Sequence, residues 1–216
     1  MSVSPAVVKD LRERTGAGMM DCKRALQETN GDFEKAVDWL RQKGLSAAAN
    51  KAGRVAAEGL VHAYIHGEGR IGVLIEVNCE TDFVARTEKF KAFVKELCMQ
   101  IAATNPLCVG PDDFQPAVLE REKAVLVAKN KESGKPDHMI EKILEGQMKK
   151  FVSENCLLGQ NFIKDTDKKI SQVLSENIAT IGENIIIRRF VRYELGEGIE
   201  KKKQDLAADV QAALKG

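Results

Sequence analysis

Two hydrophobic periods divide the chain. Near the N-terminus apolar positions recur at helical spacing. Ser4-Pro5 is a helix start, a capping hydroxyl followed by a proline at the first helical position, and Val7, Val8 and Leu11 follow on one side. Gly16 and Gly18 stop that helix, and Asp21 opens a second around Ala25 and Leu26. Asn30-Gly31 ends the second, and Asp32 caps a third with Phe33, Ala36, Val37 and Leu40 on its apolar face. Gly44 is expected to end the third, with Ala47 to Arg54 as an Ala-rich helical linker. A three-helix unit of this size is only marginally stable alone.

The period then becomes two. Val61, Ala63 and Ile65 share one side of a strand, and Ile71, Val73, Ile75 and Val77 share one side of the next. The segment His66-Gly67-Glu68-Gly69-Arg70 between them is a turn, so the two strands form an antiparallel hairpin. A third strand is expected at Ile185 to Leu195, closed by Gly196 and Gly198. Between the second and third strands the pattern is helical again. Phe90, Val94, Leu97 and Ile101 form a stripe that Asn105-Pro106 breaks. Pro116 to Ala128 is a charged helix, Glu132 to Pro136 a turn, and Ile140, Ile143, Leu144, Gln147, Met148, Phe151 and Val152 a second stripe. Helices flanking so short a turn form an antiparallel hairpin. Lys168 to Ser175 gives one more short helix, and Glu200 to Leu214 a final amphipathic one.

The pattern predicts an α+β fold. An N-terminal three-helix domain with its linker spans 1–54, a core of a three-stranded antiparallel sheet with packed helices and a helical hairpin spans 55–198, and a C-terminal helix spans 199–216.

Composition narrows the function. Lys and Arg number 33 against 32 Asp and Glu, a net charge of +1, which argues against direct nucleic-acid binding because phosphate contacts need a surplus of positive charge. No apolar run approaches the roughly 20 residues that span a bilayer. Met1-Ser2-Val3-Ser4-Pro5 lacks the charged and apolar regions of a signal peptide, so a cytoplasmic location is expected. Cys22, Cys79, Cys98, Cys108 and Cys156 are odd in number and none pair at zinc-binding spacing, so they read as reduced structural thiols.

The sequence carries little reaction chemistry. The chain has no phosphate-binding loop. His62 and His66 lie four apart on a strand, roughly 13 Å, too far to share a metal. With His138 as the third histidine, no nucleophile–base arrangement can be built. The expectation is no catalytic residue, no metal and no cofactor.

Two local features remain. Thr15-Gly16-Ala17-Gly18-Met19-Met20 is a Gly-rich loop ending in consecutive methionines, which cannot both enter one small core. Exposed Met provides an adaptable apolar contact. Asn78-Cys79-Glu80-Thr81-Asp82-Phe83-Val84-Ala85-Arg86 joins a strand to a helix, with Thr81 or Asp82 as the cap. If that helix continues, Phe83, Thr87 and Phe90 fall on one face and Phe83 is a core residue; if the ring projects instead, it is a wedge for a partner.

Both features resemble signatures of the elongation factor Ts family. The first is Leu11-Arg12-Glu13-Arg14-Thr15-Gly16-Ala17-Gly18-Met19-Met20-Asp21-Cys22-Lys23-Arg24-Ala25-Leu26, the second Glu76 through Arg86, and the likeness continues through Gly31-Asp32, Lys51-Ala52-Gly53-Arg54 and Phe190 to Glu200. The resemblance implies a guanine-nucleotide exchange factor for the GTPase elongation factor Tu. It implies a ubiquitin-associated-like N-terminal domain whose Leu11, Arg12, Met19 and Met20 match the contact set for that partner. It also implies that Thr81, Asp82, Phe83 and Val84 intrude beside the partner's magnesium site, with Phe83 as wedge and Asp82 helping to shift a helix. Longer members have two related core halves and this chain has one. Short members pair as homodimers, and a lone three-stranded sheet has its own physical need for a cover. Two rival classes are a ubiquitin-associated-type adaptor without exchange activity, suggested by the first helices, and a thiol-dependent enzyme using Cys79.

Overall fold

In a computed structural model of the chain, residues 3–133 and 136–199 are described; the helix expected over 200–214 lies outside them. The described part is α+β. It begins with α1 (Pro5–Thr15), α2 (Met19–Glu28) and α3 (Phe33–Lys51). The hairpin β1 (Glu58–His66) and β2 (Ile71–Cys79) follows, then the single-turn α4 (Asp82–Ala85) and α5 (Glu88–Thr104). Next come α6 (Pro116–Glu132), α7 (Asp137–Asn155), the ribbon β3 (Asn161–Phe162) and β4 (Asp165–Lys169), α8 (Ile170–Ile181) and β5 (Ile186–Glu194).

The first helices enclose a small core of Val8, Leu11, Cys22, Ala25, Leu26 and Ala36. Gly16 takes a left-handed conformation (φ 65°) and returns its N–H to Arg12, which ends α1, while Asp32 accepts the Lys35 N–H and starts α3. The expected stop at Gly44 does not occur. Helix α3 runs 19 residues without a break to Lys51 and absorbs the first part of the expected linker, Ala47 to Lys51. Gly44 is buried, and a Cβ there would stand 3.6 Å from the Ala179 methyl on α8. The glycine lies where α3 packs on α8, and an added methyl there would meet Ala179 at ordinary contact distance, so packing rather than termination occupies this position. Arg41 donates to Gln172 across the same junction at 2.9 Å.

The sheet is antiparallel with order β1-β2-β5. Val73, Ile75, Val77 and Cys79 point inward against Phe90, Val94, Leu97 and Ile101 of α5, the stripe read from the sequence. Phe90 is fully buried, so Phe90→Ala would cost about 3–5 kcal/mol. The set Val61, Ala63 and Ile65 does share a side, but it is the outer one; Leu60 and Tyr64 pack on the core. Register places Ala63 and Val191 on either side of Leu74, and Ile65 and Tyr193 on either side of Gly72. An apolar outer face results, with Val61, Ile65, Leu74, Val191 and Tyr193 all exposed.

The later helices need two adjustments. Helix α6 extends four residues past Ala128 to Glu132 and pairs with α7 through a hydrogen bond from Asn130 to Gln147 (2.7 Å). The helix expected at Lys168 begins at Ile170, because Lys168 and Lys169 belong to the ribbon β3–β4. Buried Gln100 of α5 fixes that ribbon, donating to the Asn161 carbonyl (3.1 Å) and accepting the Ile163 N–H (2.8 Å). A buried amide without partners would be costly, so the pairing both satisfies Gln100 and specifies the ribbon.

Candidate protein-contact site

From the second signature onward the chain leaves a strand and starts two helices in quick succession. Strand β2 ends at Cys79, opposite Glu58. The Thr81 hydroxyl accepts the Val84 N–H (3.3 Å) and starts α4; the Thr87 hydroxyl then accepts the Phe90 N–H (3.3 Å) and starts α5. Two caps in succession reset the helix axis, so Phe83 and Phe90 do not share a face. Phe90 is buried and Phe83 is 79% exposed. The core reading of Phe83 is therefore overturned.

Around Phe83 the backbone is held from several sides. The Glu183 carboxylate, in the turn between α8 and β5, accepts the N–H groups of Glu80 and Thr81 (both 3.0 Å) and the Thr81 hydroxyl (2.6 Å). The Cys79 thiol donates to the Thr81 carbonyl at 3.2 Å. Asp82 sits in the first turn of α4, where a negative charge is favoured by the exposed N–H groups, and it pairs with Arg86 at 2.8 Å. Val84 is half-buried and packs on the core. Of the four site residues in this stretch, Thr81 and Phe83 are exposed while Asp82 and Val84 are partly covered.

Burial pushes the Cys79 thiol up to about 11, with the Glu183 charge adding to the rise. A thiol held neutral at pH 7 is a poor nucleophile. Burial likewise pushes Cys98 up to about 12 and Cys108 up to about 11. Among the described residues no group of three or more His, Cys, Asp or Glu side chains is arranged to hold a metal ion. Tyr64 and His66 contact each other at 2.9 Å, a pair within one strand.

The first signature forms the α1–α2 turn. Helix α2 starts at Met19 rather than at Asp21: the Cys22 N–H bonds the Gly18 carbonyl at 2.9 Å, and Gly18, the N-cap, contributes no side-chain bond. Asp21 in that first turn pairs with Lys43 of α3. Met20 is 73% exposed and Met19 44%. Arg12 is exposed, whereas Leu11 is wholly buried beneath it. Leu11 thus belongs to the helical core, and its part in any contact is to hold α1 in place.

Sequence reasoning did not find Glu183. Its only local signal is Gly182, whose left-handed conformation (φ 90°) ends α8 and frees the next residue to turn back. Alternation in β1 and β2 likewise does not tell which side of the sheet is covered.

The family model described as Elongation factor TS matches residues 47–197. The chain is 61% identical over 213 residues to elongation factor Ts of Geotalea uraniireducens, covering 99% of each chain. It is 59% identical over 213 residues to elongation factor Ts of Carboxydothermus hydrogenoformans, covering 99% of this chain and 98% of that one. It is 61% identical over 203 residues to elongation factor Ts of Thermoanaerobacter pseudethanolicus, covering 94% of this chain and all of that one.

Proposed function

The chain belongs to the elongation factor Ts family of translation elongation factors, and on that footing we propose that it is the guanine-nucleotide exchange factor of elongation factor Tu. The observation that carries the reading is Phe83, an aromatic ring exposed on a backbone tied down on several sides. Solvating that ring is unfavourable, and burying it in a partner stabilises the complex by about 1.5–3 kcal/mol. Thr81, Asp82, Phe83 and Val84 form the intruding element. Phe83 enters between partner side chains beside the magnesium site, Asp82 helps displace a helix there, and the phosphate and magnesium contacts weaken. Arg12, Met19 and Met20, supported by Leu11, grip the partner's nucleotide-binding domain.

Exchange of this kind is linkage. A factor that weakens nucleotide binding by a given ratio is itself weakened by nucleotide in the same ratio. The factor needs no nucleotide site and makes or breaks no covalent bond. The direct test is release of fluorescent GDP from elongation factor Tu with and without this chain. Acceleration is expected, and an unchanged release rate would refute the reading. The continuous α3 speaks against the adaptor alternative, because the helical domain is joined to the core by a packed helix rather than by a free tether.

The working unit is a homodimer. The outer sheet face of Val61, Ile65, Leu74, Val191 and Tyr193 is the surface a second copy covers, and contiguous apolar patches of this kind are unusual on monomers. Sedimentation equilibrium at micromolar concentration should return twice the chain mass, and Leu74→Glu combined with Tyr193→Asp should return one chain. A monomeric parent chain would refute the dimer.

A further inference from the structure

We propose that Glu183 is a positioning residue for exchange: its carboxylate fixes the Phe83 turn to the end of α8 and so sets where the ring points. The inference rests on the exchange reading above. It starts from what the turn lacks. Strand β2 has ended at Cys79, and α4 is four residues long. A single helical turn does not hold itself, because nucleation fixes several dihedrals for one hydrogen bond. The Phe83 backbone therefore takes its geometry from outside.

That outside support is reciprocal. Glu80 and Thr81 donate their N–H groups to the Glu183 carboxylate, and Asn184 donates its own N–H back to the Glu80 carboxylate at 2.6 Å. Two segments about a hundred residues apart thus hold each other by backbone and carboxylate in both directions. The buried Asn184 side chain adds a bond to the Arg54 carbonyl at 2.8 Å, and Arg54 reaches the Glu80 carboxylate at 3.5 Å. Thr81 is the most constrained residue of the group. Its N–H and hydroxyl proton go to Glu183, its hydroxyl oxygen caps α4, and its carbonyl accepts from Cys79 and from the Ala85 N–H. A donor–acceptor chain from the Val84 N–H through the hydroxyl to a carboxylate polarises each link.

The other end of the clamp is anchored to the grip. Glu183 follows Gly182 at the end of α8, the helix on which Gly44 and Arg41 of α3 rest. Glu183 is thus the joint through which the position of the N-terminal helices reaches the Phe83 ring.

The experiment uses full-length chains and elongation factor Tu loaded with fluorescent GDP. Glu183→Ala should lower the maximal release rate about tenfold and move the half-saturating concentration by less than about twofold. Glu183→Gln keeps an acceptor oxygen for the two N–H groups and should recover most of the rate. The double variant Glu183→Ala with Phe83→Ala should be no slower than Phe83→Ala alone, since both act through one ring. Independently, the Glu80 and Thr81 amides should be protected from hydrogen exchange in the unmodified chain and in Glu183→Gln. Full activity in Glu183→Ala, multiplying losses in the double variant, or unprotected amides would each overturn the proposal. If the unmodified chain fails to accelerate release, the exchange reading fails; if it succeeds and Phe83→Ala is impaired while Glu183→Ala is not, only the positioning role fails.

Discussion

The turn bearing Met19 and Met20 and the turn bearing Phe83 both lift apolar side chains off a helix start above a buried cysteine. They differ in how the backbone is held. The Cys22 thiol lies 3.8 Å from the Ala17 carbonyl, the Ala17 N–H reaches the Thr15 hydroxyl at 3.4 Å, and Gly18 caps with no side chain at all. Beneath Phe83 the thiol bond is 3.2 Å, the cap is a threonine hydroxyl, and a carboxylate adds three more bonds. The side chains differ in the same sense: methionine has three rotatable bonds and adapts, whereas a phenyl ring is a fixed shape. An adaptable surface suits gripping, where contact area matters. A rigid ring suits intrusion, where direction matters. The two turns should therefore fail in different kinetic quantities.

The largest expected effect is on Phe83. Phe83→Ala should lower the maximal rate of GDP release by about thirtyfold with a much smaller loss of affinity, because the lost contact acts on the path of release. Stopped-flow titration separates the two, and a change in affinity alone would erase the contrast between the turns. Next comes the joint substitution Met19→Ala and Met20→Ala. It should speed dissociation of the complex about tenfold, as each buried methylene is worth about 0.8 kcal/mol, and leave the saturated rate nearly unchanged. A lowered saturated rate would mean the methionines do more than grip. Thr81→Ala should cost about 1 kcal/mol of folding stability through the lost cap and slow release a few-fold, with Thr81→Ser nearly neutral. Thermal melts alongside exchange assays check both parts.

The smallest effect concerns the cysteine under Phe83. The folded Cys79 thiol is raised from its ordinary 9.0 to about 11. Its contribution to stability is whole below pH about 9 and is lost as pH rises towards 11, since only the unfolded chain ionises in that window. Denaturation midpoints should fall across that range, and Cys79→Ala should flatten part of the fall. Exchange activity of Cys79→Ala should stay within about twofold of the unmodified chain. A collapse of activity would revive a thiol role.

Much of this arrangement was legible in the sequence because it is periodic or capped locally. The stripe Phe90, Val94, Leu97 and Ile101, the alternation of Ile71 to Val77, and Asp32 as a cap all express near-neighbour physics. What escaped depends on distant partners. Gly44 reads as a stop until Ala179 is placed against it. The burial of Gln100 has no local signal, because its partners come from the ribbon turn about sixty residues on. For Phe83 the pattern leaves core and wedge both open, and the nearby Thr87 cap, which restarts the helix, decides for exposure. Glu183 stands about a hundred residues from the amides it holds, beyond any local pattern.

The unbroken α3, seated on α8 through a residue with no side chain, has one more consequence. At about 1.5 Å per residue its 19 residues form a stiff arm roughly 28 Å long, whose Lys43 pairs with Asp21 beside the methionines and whose C-terminal end leads to Arg54, a partner of Glu80 in the clamp. A caliper of fixed opening fits only objects of matching breadth. Selectivity among related GTPases would then lie in the distance between two touching points as much as in the chemistry at either. A bulkier residue at Gly44 would widen the jaws without altering a single contact residue.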